Sequence, residues 1–134
     1  MSPPPFAAIV LAAGKGTRMQ SDLPKVLHRL AGRPLVAHVL AAVAPLAPRR
    51  TVLVLAPGMD AVAAAAPGAT VAIQHAALGT GHATRAALPA LAHEDLADVL
   101  VLFGDTPLLT TATLEALLAE RRRAPAAAVV VLGM

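Results

Sequence analysis

Five apolar runs in this chain lack the in-and-out alternation of a strand with one wet face. That pattern constrains the fold more than any other feature. The runs are residues 6–12 (FAAIVLA), 51–56 (TVLVLA), 70–74 (TVAIQ), 98–104 (DVLVLFG) and 126–132 (AAAVVVL). A strand that reads this way is covered on both faces, as in parallel sheets. Between the runs lie segments of helical character at 34–46, 59–66, 81–92 and 110–122. Pro34 suits a first helical turn, whereas Pro89 should kink or end its helix. Threonines open the last helix, and Arg121, Arg122 and Arg123 close it where the dipole favours cations. Strands alternating with helices imply right-handed crossovers and a parallel sheet. The expected class is α/β: an open, doubly wound, mostly parallel, Rossmann-like sheet occupying residues 1–134.

Composition narrows the function. The 134 residues suffice for one core, and at 57% hydrophobic and 14% charged the chain is apolar. No stretch is long enough to span a bilayer: residues 35–46 are too few and include His38 and Pro45. MSPPPF places no basic segment ahead of an apolar one, so no signal peptide is read and the expected location is the cytoplasm, with no membrane partner. The absence of cysteine excludes disulfides and thiolate metal sites. The net charge of +3 is unevenly spread. Lys15, Arg18, Lys25, Arg29 and Arg33 crowd one segment against Asp22 alone. Such a cluster in a glycine loop suits a small polyphosphate better than a duplex. With only Phe6 and Phe103 as aromatics, no stacking platform for bases exists, and nucleic acid is not an expected partner. An apolar strand at 126–132 would leave an open edge, so the domain is expected to be incomplete at residue 134.

In open α/β sheets, ligands bind beyond the carboxyl ends of the strands. Five of the nine glycines fall in three such loops: Gly14 and Gly16 after the first run, Gly79 and Gly81 after the third, Gly104 after the fourth. Glycine lets backbone N–H groups approach a ligand closely. The three loops are expected on one rim of the sheet. The first loop is not a Walker A sequence. Nor is it a full dinucleotide fingerprint, because Met19 takes the third glycine position and Ala56-Pro57 stand where an acidic residue would meet a ribose.

The longer spacing is more specific. LAAGKGTRM from Leu11, followed by Pro24-Lys25, resembles the signature of nucleotidyltransferases that join a nucleoside triphosphate to a sugar phosphate. With QHAALGTGHA from Gln74 and VLFGDTPLL from Val101, the chain resembles the N-terminal uridyltransferase domain of bacterial bifunctional N-acetylglucosamine-1-phosphate uridyltransferases. The resemblance implies UTP and a sugar-1-phosphate as substrates and Mg²⁺ as cofactor. It puts Leu11, Ala12, Ala13 and Gly14 against base and ribose, Gln74 on the uracil edge, and Gly79 and Thr80 beside it. Arg18 would meet the triphosphate as a catalytic cation. Lys25, also catalytic, would lie between nucleotide and sugar phosphate, and Asp105 would hold the metal. The pattern departs at Ala77, where a second glutamine is frequent, and at Phe103, where an aromatic hydroxyl is common. The family's second metal ligand, an asparagine, and the β-helix on which its oligomers depend have no counterpart here, so acetyl transfer is not assigned. Related enzymes use other bases or other acceptors, of sugar phosphate or molybdopterin type, and an inactive nucleotide-binding fragment is a further alternative.

Each residue also has a plainer reading. Gly14 and Gly16 turn a strand into a helix, and Asp105 lies in GDTP, an ordinary turn sequence. Gln74 reads equally as a rim residue. His28, His38, His75, His82 and His93 have no metal-ligand spacing and read as structural or surface residues.

Overall fold

The computed structural model describes residues 3–14 and 23–133. In chain order its elements are β1 (Phe6–Leu11), the short β2 (Arg29–Leu30) and β3 (Arg33–Pro34), α1 (Leu35–Val43), β4 (Arg50–Leu55), α2 (Asp60–Ala64), β5 (Thr70–Ile73), α3 (Thr80–Ala87), β6 (Asp98–Phe103) and α4 (Thr111–Arg123). The main sheet is parallel, in the order β5-β4-β1-β6. The chain steps outward from β1 through β4 to β5, then returns to the other side of β1 with β6. The strand order therefore reverses between β1 and β6, and the expected doubly wound α/β class is the class observed.

Two apolar layers hold the sheet. On one face Ala8, Val10, Leu53, Leu55, Leu100 and Leu102 pack under Val36 and Val39 of α1, Val62 of α2, and Leu114 and Leu118 of α4. On the other, Ala7, Ile9, Val52 and Val54 meet Ala83 and Ala87 of α3 and Leu91 beyond it. Burying a leucine such as Leu114 contributes about 1.5–3 kcal/mol. All six residues of β1 are buried, as a strand between two neighbours and two layers should be.

The outer strands differ from the expectation of cover on both faces. In β6, Leu100 and Leu102 are buried while Val99, Val101 and Phe103 are exposed. These three share a side of the sheet with Ile9, which pairs with Val101. The short α3 covers β1, β4 and β5 on that side and leaves these β6 residues exposed. The run at 126–132 also departs from expectation, for it forms no strand, and Val129, Val131 and Leu132 are exposed. Valine-rich composition favours a pleated, half-buried surface, and this run has neither a strand edge nor an apolar layer against it.

Helix ends follow their local chemistry. Pro34 stands just before α1 rather than inside its first turn. Pro89 ends the regular part of α3 at Ala87, and a 3₁₀ turn continues through Leu88–Leu91. Thr110 caps α4 by accepting from the Thr113 N–H at 3.2 Å. Thr111 Oγ1 donates to the Ala42 carbonyl at 2.7 Å, which ties α4 to α1. Besides closing the helix, Arg121 and Arg122 reach Asp98 at 3.5 and 3.9 Å and pin α4 to the start of β6. Because the Asp98 carboxylate is only 8% exposed, its pairs are shielded more than surface pairs are. Asp98→Asn is expected to cost about 1–2 kcal/mol. Urea unfolding monitored by circular dichroism would measure it, and an unchanged midpoint would show that the pairs contribute nothing.

Candidate functional site

The carboxyl ends of β1, β5 and β6 open onto a cleft of ≈ 320 Å³. Leu11, Ala12, Ala13 and Gly14 line it from the end of β1. Gln74, Ala77, Gly79 and Thr80 line it from the β5–α3 connection, and Phe103 and Asp105 from the end of β6. Lys25 and Val26 close it from the segment ahead of β2. Most of the residues singled out in the sequence thus share one hollow, at the strand-order reversal where such sheets bind ligands. Arg18, with Lys15 and Gly16, lies outside the described residues. A larger hollow of ≈ 420 Å³ is lined by Pro3–Pro5 and Phe6 with Arg49 and Glu115. It sits at the amino ends of the strands, between the segment ahead of β1 and the α1–β4 connection, opposite the end where such sheets bind ligands.

The basic segment divides in the structure. Arg29 donates to the Gly32 carbonyl at 3.0 Å within the β2–β3 hairpin. Arg33 reaches Nδ1 of His38 at 3.4 Å, and His38 Nε2 donates to the Leu30 carbonyl at 2.6 Å. Those two arginines brace a hairpin that sequence reading did not anticipate. Lys25 instead faces Asp105, with Nζ 3.0 Å from Oδ2 and side chains 46% and 34% exposed. At that exposure the ion pair is worth about 0–1 kcal/mol, so either partner can exchange the other for a ligand at little cost.

Gly104 sets the floor between β1 and β6. Its N–H donates to the Leu11 carbonyl at 2.9 Å. An added Cβ would sit 3.2 Å from that oxygen, from Ala12 Cβ and from Val26 Cγ1. All three neighbours belong to residues that line the cleft. Gly104→Ala is expected to destabilise the chain by about 1–3 kcal/mol through overpacking and to weaken ligand binding in the cleft with it. Thermal unfolding and a ligand titration would check both. Full stability and full affinity together would mean the neighbours yield freely.

On the other wall, Gln74 is 6% exposed, the one buried polar residue among the described residues. Its backbone N–H donates to the Leu55 carbonyl at 2.8 Å, continuing the β4–β5 ladder. Its side-chain Nε2 lies 3.2 Å from the Gly79 carbonyl and 3.0 Å from Nδ1 of His82. Gly79, with φ +97 and ψ 178, sits in a conformation essentially reserved for glycine. That turn starts α3 and aims the Gly79 carbonyl at both Ala83 N–H and the glutamine. Sequence reading set His82 aside with the other histidines. Its place in the first turn of α3, directly after LGTG, was the only available signal.

Asp105 can contribute one carboxylate to a divalent cation. The described residues hold no cluster of three or more acidic or imidazole ligands. One carboxylate together with phosphate oxygens and water is a common way to hold a hard divalent cation. No helix among the described residues is long and apolar enough to cross a membrane.

An open parallel sheet with glycine-bearing loops, a cation and a carboxylate converging at its reversal point is an α/β fold with a cleft where such sheets bind ligands. The chain belongs to the MobA-like NTP transferase domain family, whose pattern matches residues 8–133. Its class is therefore nucleotidyltransferase. It is 59% identical over 129 residues to the bifunctional protein GlmU of Paramagnetospirillum magneticum and 53% identical over 127 residues to that of Rhodospirillum rubrum. Those matches cover 96% and 95% of this chain but 28% of each relative, so the chain spans little more than a quarter of their length. Among solved structures, Rv0371c of Mycobacterium tuberculosis superposes with a TM-score of 0.74 at 24% identity, over 89% of this chain and 61% of that one. A CMP:2-keto-3-deoxy-manno-octonic acid synthetase complexed with CTP gives 0.68 at 22%, over 91% and 49%. Likeness at those identities establishes the shared fold.

Proposed function

We propose that this chain is the nucleotide-binding portion of an enzyme that transfers a uridylyl group from UTP to N-acetylglucosamine-1-phosphate, releasing pyrophosphate and forming UDP-N-acetylglucosamine in the cytoplasm. The observation that carries the reading is the convergence on one cleft of a buried glutamine, two glycine-bearing loops and the Lys25–Asp105 pair. The similarity to GlmU proteins supports the choice of base and acceptor.

The roles follow from charge and placement. Leu11, Ala12, Ala13 and Gly14 offer backbone atoms to base and ribose, and Gln74, Gly79 and Thr80 read the base from the opposite wall. Arg18 and Lys25 neutralise phosphates as the two anionic reactants meet. The acceptor phosphate oxygen forms a bond to the α-phosphorus while the bond from that phosphorus to the bridging oxygen breaks, and the electron pair leaves with pyrophosphate. The nucleophile is already ionised, so no general base is required. Asp105 fits as a Mg²⁺ ligand, the ion supplying positive charge to the phosphate oxygens when bound. In the free chain Lys25 shields that carboxylate, and a triphosphate would draw the ammonium away from it.

Calorimetric titration of the chain with UTP and Mg²⁺ tests the reading, with CTP, GTP and ATP as comparisons. Saturable binding selective for UTP is expected. Preference for another nucleotide would move the assignment to a relative with a different base, and no binding by any of the four would remove it.

A further inference from the structure

The Gln74 side chain carries more information than its contact with the cleft. A backbone carbonyl can only accept, so the group 3.2 Å from the Gly79 oxygen must be the amide nitrogen. A flipped amide would set oxygen against oxygen there. With the nitrogen so assigned, its second hydrogen points to His82 Nδ1 at 3.0 Å, and that ring nitrogen must be the acceptor. The imidazole therefore carries its proton on Nε2. Both amide hydrogens are spent on protein. Among the described residues no buried side-chain oxygen or nitrogen lacks a partner, so the amide oxygen is not sealed in the core. It is the polar atom that Gln74 leaves to the cleft.

We propose that His82 is a positioning residue that determines base selectivity: by accepting from Gln74 it locks the amide with its oxygen toward the cleft, where it welcomes a base edge presenting N–H and repels one presenting a lone pair. Uracil presents N–H at ring position 3, and cytosine presents a lone pair there. This rests on the nucleotide reading of the cleft. Without His82 the amide keeps one bond, to Gly79, so a flip breaks one hydrogen bond rather than two and the oxygen is held less firmly toward the cleft. A flipped amide would serve cytosine. Asparagine at position 82 could restore an acceptor oxygen near the place of Nδ1, which leucine cannot.

Two measurements test the proposal. A ¹⁵N-edited imidazole spectrum of the unmodified free chain is expected to show His82 protonated on Nε2 and bare on Nδ1. A proton on Nδ1 would overturn the proposal, and this result needs no ligand. Titrations of His82→Leu and His82→Asn with UTP and CTP, each with Mg²⁺, follow. The leucine variant should lose about tenfold of the preference for UTP over CTP, while the asparagine variant should retain most of it. Undiminished preference in His82→Leu would overturn the proposal. A parent chain that prefers a nucleotide other than UTP would defeat the uridine reading alone. The positioning role would then appear as the same collapse of whatever preference exists.

Discussion

Asp105→Asn is expected to lower Mg²⁺-dependent UTP affinity about 100-fold, equivalent to about 2.7 kcal/mol, with the fold intact. The carboxylate follows β6 at the mouth of the cleft and faces Lys25 at 3.0 Å. Asparagine keeps the shape and removes the charge. Its loss also frees Lys25, but at this exposure the broken pair costs the fold little. Titrations with and without Mg²⁺ separate the two effects. If Asp105 serves the metal, the variant and the parent should bind alike in EDTA and differ when Mg²⁺ is present. Equal affinities in both conditions would remove Asp105 from the site. Lys25→Met provides the contrast. It should bind Mg²⁺ alone two- to fivefold more tightly, since no ammonium competes for the carboxylate, yet bind UTP about tenfold more weakly. Parallel losses for metal and nucleotide would mean that the pair is structural.

The second large effect is expected at Gly79. Its backbone, at φ +97 and ψ 178, lies where a Cβ is strongly disfavoured, although open space surrounds the position. Gly79→Ala should therefore cost about 1–3 kcal/mol through backbone strain alone. For a domain of this size that corresponds to a fall of roughly 4–12 °C in Tm. If the chain relieves the strain by rotating the 79–80 peptide, the carbonyl that fixes Gln74 moves with it. Selectivity among nucleotides should then fall further than affinity does. A normal Tm together with unchanged selectivity would show that the turn tolerates a side chain and that its geometry does not matter to the site.

What could be read from the sequence divides along physical lines. β1 and β4 were legible because burial on both faces leaves an unbroken apolar run. The same kind of run misled at 126–132, where a strand also needs a neighbouring edge that no local pattern encodes. It misled in part at β6, since DVLVLF reads alike whether one face or two are covered, and the extent of α3 decides that. Pro89 announced the end of α3 because its chemistry is local. The cleft could be anticipated because glycine loops follow strands β1, β5 and β6, and the topology brings those ends to one rim. Two contacts inside it could not be. Lys25 and Asp105 are far apart in sequence, and their pairing depends on the return of β6 to the side of β1. His82 acts on Gln74 across a turn whose direction is set by the positive φ of Gly79, so no helical or strand spacing links the two residues. In the basic segment, net charge hid the division of labour between Arg29 and Arg33, which brace a hairpin, and Lys25, which faces the cleft.

The β5–α3 connection gives the site a modular character. Gln74, the Gly79 carbonyl and His82 lie within nine consecutive residues of a single crossover. Of the groups proposed to handle phosphate and metal, Lys25 comes from the segment ahead of β2 and Asp105 from the end of β6, on the far wall. Exchanging that short cassette for one with a different amide partner would retune the choice of base without touching the charges that drive the chemistry. Divergence in substrate range can therefore proceed through one loop while the reaction centre is inherited unchanged.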